Sequence, residues 1–223
     1  MPQLDADTVY ALIAVAIMLL VGFPVHEFMH AFAAFKLGDS TARWQGRLTL
    51  DPRVHLDPLG AGLLVMSALF GGVFIGWARP TPVNPMNLQG GRRGEALVAI
   101  AGPISNLVMA AGVAVVYRLI VANSQTVLGV ASAEAWNTIL SVIVYFVIIN
   151  ISLFVFNLLP VPPLDGWHVL LGLVSPRTNW QLRALQARYA QFIPMIFLVI
   201  ILFGGGRVIS PIVTSIFNLL IGR

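Results

Sequence analysis

Five stretches of this 223-residue chain run for 18 residues or more without Asp, Glu, Lys or Arg: 8–25, 58–78, 96–117, 135–164 and 189–206. An α-helix needs about 20 apolar residues to cross a bilayer, so this spacing of charges restricts the chain to a polytopic membrane protein. Only 10% of the residues are charged, against about a quarter in soluble domains, which excludes disorder and an ordinary soluble domain. A sixth charge-free stretch, 208–222, is slightly short and would span only with its ends among the headgroups.

The net charge of +4 does not point to nucleic acid, because the basic residues are scattered through short loops instead of clustered on a solvated face. The absence of cysteine excludes disulfides, Cys-ligated zinc and thiol catalysis. Asp5 and Asp7 stand where a secretory signal has its basic region, so the first hydrophobic segment is expected to stay in the mature protein.

The expected architecture is an all-α polytopic membrane protein, a single domain over 1–223. It has about five transmembrane helices, a re-entrant hydrophobic hairpin and a short membrane-surface β element. The helical segments fall at 8–35, 95–121, 134–160, 188–203 and 207–222. Partial alternation from Thr41 to Leu50 around Gly46 predicts a hairpin or strand pair on the membrane surface. Arg79-Pro-Thr-Pro-Val-Asn-Pro85 predicts an extended stretch, since its prolines cannot sit in a helix interior.

Loops 36–58, 78–94 and 175–188 are all Arg-rich, which places them on the cytoplasmic side. Two successive cytoplasmic loops cannot flank a complete span, so 59–77, with its five glycines, is predicted to dip into the membrane and return. Pro194 and Gly204 to Gly206 give the last two segments bending points, expected to form a tight extracellular turn in preference to a lateral gate.

The strongest local signal is His26-Glu27-Phe28-Met29-His30 within the first apolar segment. Residues four apart share a helix face, so both imidazoles can reach one Zn²⁺ while Glu27 leans over the same ion as general base. Ionisable residues inside a membrane are costly to bury and by default functional. A catalytic zinc usually has three protein ligands. For the third, His55, His168 and a few carboxylates remain, and Asp165 is the carboxylate at the end of a long apolar stretch, in Asn157-Leu-Leu-Pro-Val-Pro-Pro-Leu-Asp165-Gly166. The prolines break the helix and let the carboxylate project into a cavity, although a helix-capping Asp is the plainer alternative. The topology brings both half-sites to a similar depth near the cytoplasmic face.

The sequence resembles the site-2 protease family of intramembrane zinc metalloproteases. The likeness covers nearly the whole chain, through His26 to His30, Gly38-Asp39, Gly46 to Pro58, Gly76 to Pro85, Ala101-Gly-Pro-Ile-Ser-Asn106 and Asn157 to Gly166. It is closest to the compact subgroup without PDZ or CBS domains. The resemblance implies one zinc per chain on His26, His30 and Asp165, Glu27 as catalytic base, and Asn157 near the metal, steadying the oxyanion. It implies a core built from segments 8–35, 95–121 and 134–168, transmembrane-protein substrates, and a plasma-membrane location.

A helical substrate has its carbonyls hydrogen-bonded and must unwind before cleavage. Thr81, Val83 and Asn84, or the stretch from Leu48 to Leu50, are the candidates for pairing with it as an added strand. Asn106 is read equally as a helix-packing residue or as a support for the metal site. His55 is expected to brace its loop, His168 is unassigned, and the tryptophans are expected at the membrane interface. Partners are the lipid bilayer and, as candidates, a second copy of the chain or a regulatory membrane protein. The rival readings are a metal-ion transporter and a catalytically silent scaffold.

Overall fold

The computed structural model describes residues 5–70, 74–127, 129–193 and 206–222. In chain order its main helices are α1 (Ala6–Lys36), α2 (Pro58–Phe70), α3 (Arg92–Ala122), α4 (Ala133–Asn157), α5 (Asp165–Leu173), α6 (Pro176–Arg188) and α7 (Gly206–Ile221). Among the described residues α1, α3 and α4 are long and apolar enough to cross a membrane, whereas α2 and Ile209–Ile221 are shorter apolar helices. Of the segment expected at 188–203, residues 194–203 lie outside the described residues, as do the bending points Pro194, Gly204 and Gly205.

Capping starts α1, where Thr8 N–H donates to Asp5 Oδ1 at 2.8 Å. Midway, Met18–Gly22 forms a π-helical turn that places Phe23 N–H on Met18 O. One residue separates it from Pro24, which has no N–H to give to the ladder. The wider turn rotates the face presented by everything after it, the His26 to His30 stretch included.

The centre of the bundle is α4. One side, with Phe146, Ile149 and Leu153, packs on Ala11, Ala14, Val15 and Met18 of α1. The other, with Val147, Ile151 and Val155, packs on Ala110 and Ala114 of α3 and on Ile209 and Val213 of α7. A helix apolar all round is what such an enclosed position requires, and the facing alanines let the backbones approach closely.

Beyond α2 the chain returns extended from residue 74. Ile75 N–H reaches Ser67 Oγ at 3.3 Å, and the Trp77 indole N–H reaches Asp57 Oδ1 at 3.1 Å, back at the start of α2. The return is so close that a Cβ on Gly60 would stand 2.0 Å from Trp77 O, which explains the glycine. Arg79 N–H then donates to His55 O at 2.6 Å, so the excursion begins and ends at one level.

The expected β element is corrected: there is no strand among the described residues, and Thr41–Trp44 is a helical turn. Asp39 Oδ1 accepts from Thr41 N–H at 3.1 Å and from the Thr41 hydroxyl at 2.5 Å, while Arg47 N–H closes on Ala42 O at 2.8 Å. These local bonds satisfy donors that a strand would have had to pair with a neighbour. The 175–188 loop is likewise a helix, α6, with Pro176 in its first turn and Ser175 Oγ accepting from Thr178 N–H. Trp44 and Trp180 are exposed in keeping with interface residues, but Trp167 is buried and donates to Gln186 Oε1 at 2.8 Å.

Candidate metal centre

The second half of α1, the first half of α3 and the start of α5 converge on one point. There His26 Nε2 and His30 Nε2 lie 3.1 Å apart, with Asp165 Oδ2 at 3.3 and 3.4 Å from them. Val98 O, 2.8 Å from His30 Nδ1, can only accept, so that nitrogen carries the proton. His26 Nδ1 faces Asn106 Oδ1 at 3.0 Å in the same sense. Both Nε2 atoms therefore turn lone pairs toward a carboxylate oxygen. Three converging acceptors repel one another unless a cation stands between them. A tetrahedral zinc with ligands at about 2.0–2.1 Å has ligand-to-ligand edges of about 3.3–3.4 Å, the size of this triangle.

Backbone proximity completes the cradle. A Cβ on Gly102 of α3 would lie 2.3 Å from His30 Nε2 and 2.7 Å from His26 Nε2, so only glycine lets α3 pass here. Glu27 is 6% exposed, and ligand atoms of His26, Glu27 and His30 all lie within 4.8 Å of one another. Its Oε2 accepts from the Thr81 hydroxyl at 2.7 Å.

Asp165 opens α5 directly after the proline-rich turn. A Cβ on Gly166 would meet Leu158 O at 2.3 Å, which shows how tightly 157–166 folds on itself. Helix α5 is locked to α3, because a Cβ on Gly172 would touch that of Ala96 at 2.4 Å and Arg92 donates to Val174 O at 2.7 Å. A polar cluster adds to the lock: Glu95 meets His168 Nδ1 at 2.9 Å and takes Arg183 bonds at 2.7 and 2.9 Å.

The structure thus brings His26, Glu27, His30, Asp165 and Asn106 together. Asn157 ends α4 half-buried and makes no hydrogen bond to any of these side chains. His55 is fully buried and braces its loop through Nε2 donating to Thr49 O at 2.8 Å. Thr81, Val83 and Asn84 lie in an extended strap that passes Glu27. Asp39 anchors its far end, accepting from Asn84 N–H at 2.7 Å and from the Asn87 amide at 3.0 Å. Burial pushes the Asp39 carboxyl up, but the bonds from Thr41, Asn87 and Asn84 outweigh this and hold it below the usual carboxylate range. The small residues from Ala101 to Ser105 mark a place where helices approach closely, and the structure puts that approach at Gly102. Nothing local marks the Thr81 contact to Glu27 or the Glu95 cluster, which sequence reasoning missed.

A sequence profile of Peptidase family M50 matches residues 14–202. The chain is 42% identical over 160 residues to "Putative zinc metalloprotease YwhC" of Bacillus subtilis, covering 72% of this chain and 68% of that protein. It is 32% identical over 182 residues to a Mycolicibacterium smegmatis protein with the same description, Rip2, covering 78% of this chain and 64% of the relative. The Mycobacterium tuberculosis Rip2 is 31% identical over 180 residues, with 80% and 64% covered. The chain thus spans about two thirds of the length of these relatives. No solved structure matches it. A profile match over most of the chain, which takes in His26 to His30 and Asp165, shows that the chain belongs to Peptidase family M50, the site-2 protease family of zinc metalloproteases.

Proposed function

We propose that this chain is a zinc-dependent intramembrane endopeptidase, working as one domain over 1–223, that hydrolyses peptide bonds within or near transmembrane segments. The observation that carries this is the triangle of His26 Nε2, His30 Nε2 and Asp165 Oδ2 at 3.1–3.4 Å, with Glu27 beside it. These three residues would hold one zinc ion. When bound, the metal acidifies a water and polarises the scissile carbonyl. Glu27 takes the proton of the attacking water on Oε1, which has no partner among the described residues, and delivers it to the leaving amine nitrogen. Asn106 holds the His26 ring, and Asn157 is the candidate for steadying the oxyanion.

The strap from Arg79 to Asn84 would receive the unwound substrate. Pro80 and Pro82 have no N–H, whereas Thr81 and Val83 keep N–H and C=O groups that are unpaired among the described residues. Successive strand residues direct these groups to opposite edges, so at Thr81 and Val83 one edge of the strap offers donors and acceptors to an added strand, while the other carries only the carbonyls of Pro80 and Pro82. The Leu48 to Leu50 alternative loses support, since that stretch forms bends. Arg-rich connections at the metal-centre end favour the cytoplasmic side of a plasma membrane, with about five spans in all and α2 plus its return as the re-entrant element. A second copy or a membrane partner would supply regulation.

The test is reconstitution in liposomes with single-pass substrates, comparing the wild type with Glu27→Gln. Cleavage that is zinc-dependent, chelator-sensitive and lost in Glu27→Gln is the expected result. Metal flux that survives Glu27→Gln, or substrate binding without cleavage by the wild type, would overturn the reading.

A further inference from the structure

We propose that Thr81 is the positioning residue for Glu27, its hydroxyl holding Oε2 so that Oε1 is presented to the attacking water. The inference deepens the peptidase reading and rests on it. A glutamate side chain turns about several bonds, and being next to His26 on α1 does not by itself aim its carboxylate. Among the described residues the hydrogen bond that Glu27's carboxylate receives comes from Thr81, at 2.7 Å, with the Glu27 backbone carbonyl farther away at 3.1 Å. The hydroxyl has one proton, and the shorter, charge-assisted contact to Oε2 is the stronger claim on it.

Thr81 does not depend on Glu27 for its own position. The strap is anchored upstream by Arg79 N–H on His55 O and by the Arg47 guanidinium on Arg79 O. Downstream it is anchored by Asn84 N–H and the Asn87 amide on Asp39. Between the anchors Thr81 is flanked by Pro80 and Pro82, whose rings fix φ, and its branched Cβ restricts χ1. The donor is therefore held in place before the base arrives, which is what positioning demands. Because only the side chain of Thr81 meets Glu27, its backbone stays free for a substrate strand, and the two roles can be separated by experiment.

The reconstituted full chain, loaded with zinc, is assayed on a single-pass substrate as Thr81→Val, which keeps the shape but loses the donor, and as Thr81→Ser, which keeps the donor. Thr81→Val should lower kcat about 10–100-fold while KM stays within about twofold, the scale a misplaced catalytic group produces. Its zinc content and thermal midpoint should match the wild type, Thr81→Ser should recover most of kcat, and Thr81→Val added to Glu27→Gln should cost nothing more. Unchanged kcat in Thr81→Val beside an inactive Glu27→Gln would remove the role of Thr81 alone. Equal losses in Thr81→Ser and Thr81→Val, or loss of zinc in parallel with activity, would make Thr81 a structural residue and overturn the proposal. Wild-type rates in Glu27→Gln would overturn the base assignment and Thr81's role with it.

Discussion

His168 Nδ1 lies 2.9 Å from Glu95 Oε1, one helical turn past Asp165 on α5 and one turn before Val98 on α3. The two helices that present a carboxylate and a carbonyl to the histidine pair are thus tied together one turn away, and Arg183 of α6 closes the same carboxylate from a third element. Glu95 is 7% exposed, so its charge is kept only because these partners compensate it.

Glu95→Gln should therefore destabilise the protein by about 1 kcal/mol: it removes charge-assisted contacts from a buried carboxylate, while His168 and Arg183, 41% and 42% exposed, can turn to water. Thermal unfolding in detergent measures it. A double-mutant cycle with Arg183→Gln should give a coupling energy above about 0.5 kcal/mol; additivity would mean that the cluster does not hold α5 and α6 in place.

Gly102→Ala sets two effects against each other. Helix propensity favours alanine by about 1 kcal/mol, but the new Cβ would fall 2.3 Å from His30 Nε2. The clash decides the outcome at the site: zinc affinity should drop at least about tenfold, the lower end of what disturbing a ligand's support costs. Metal content after dialysis against a graded chelator reads this directly, while helicity by circular dichroism should stay at the wild-type level.

Asn106→Leu removes the acceptor that faces His26 Nδ1 at 3.0 Å and frees the ring to rotate or change tautomer. Zinc affinity should fall about 10–100-fold with the fold retained. Asp165→Ala, which deletes a proposed ligand, should lower it further; full zinc occupancy in Asp165→Ala would remove that residue from the ligand set.

Asp39 carries a pH dependence whose sign follows from its partners. Its folded-state pKa lies below the unfolded value of about 3.9, so its stabilising effect is complete above that pH and is lost as pH falls through the folded pKa. Asp39→Asn should lower stability at neutral pH and flatten the part of the acid-unfolding curve below about pH 4. Acid titrations of both proteins, followed by tryptophan fluorescence, check the difference.

Much of this architecture is legible in the sequence. Charge-free runs marked α1, α3 and α4 because helices in lipid must be apolar, and loop arginines and prolines marked where they stop. The extended stretch from Arg79 onward was legible because prolines forbid a helix. The surface hairpin was not found, since alternation from Thr41 to Leu50 is too short to outweigh the turn that Asp39 imposes. Helix α6 is polar, and in a chain this hydrophobic a polar stretch reads as a connection.

The sequence alone determined that His26, Glu27 and His30 would meet, because a spacing of four on a helix puts both rings on one face whatever surrounds it. It also determined that the chain would belong in a membrane. Tertiary structure alone decided what meets that face: Asp165 from beyond α4, Asn106 and Val98 from α3, Gly102 close enough that no side chain fits, and Thr81 from a strap 54 residues away. Local periodicity encodes which side of a helix is buried. How near two helices come, and which polar atoms then face each other, depends on the packing of the whole bundle.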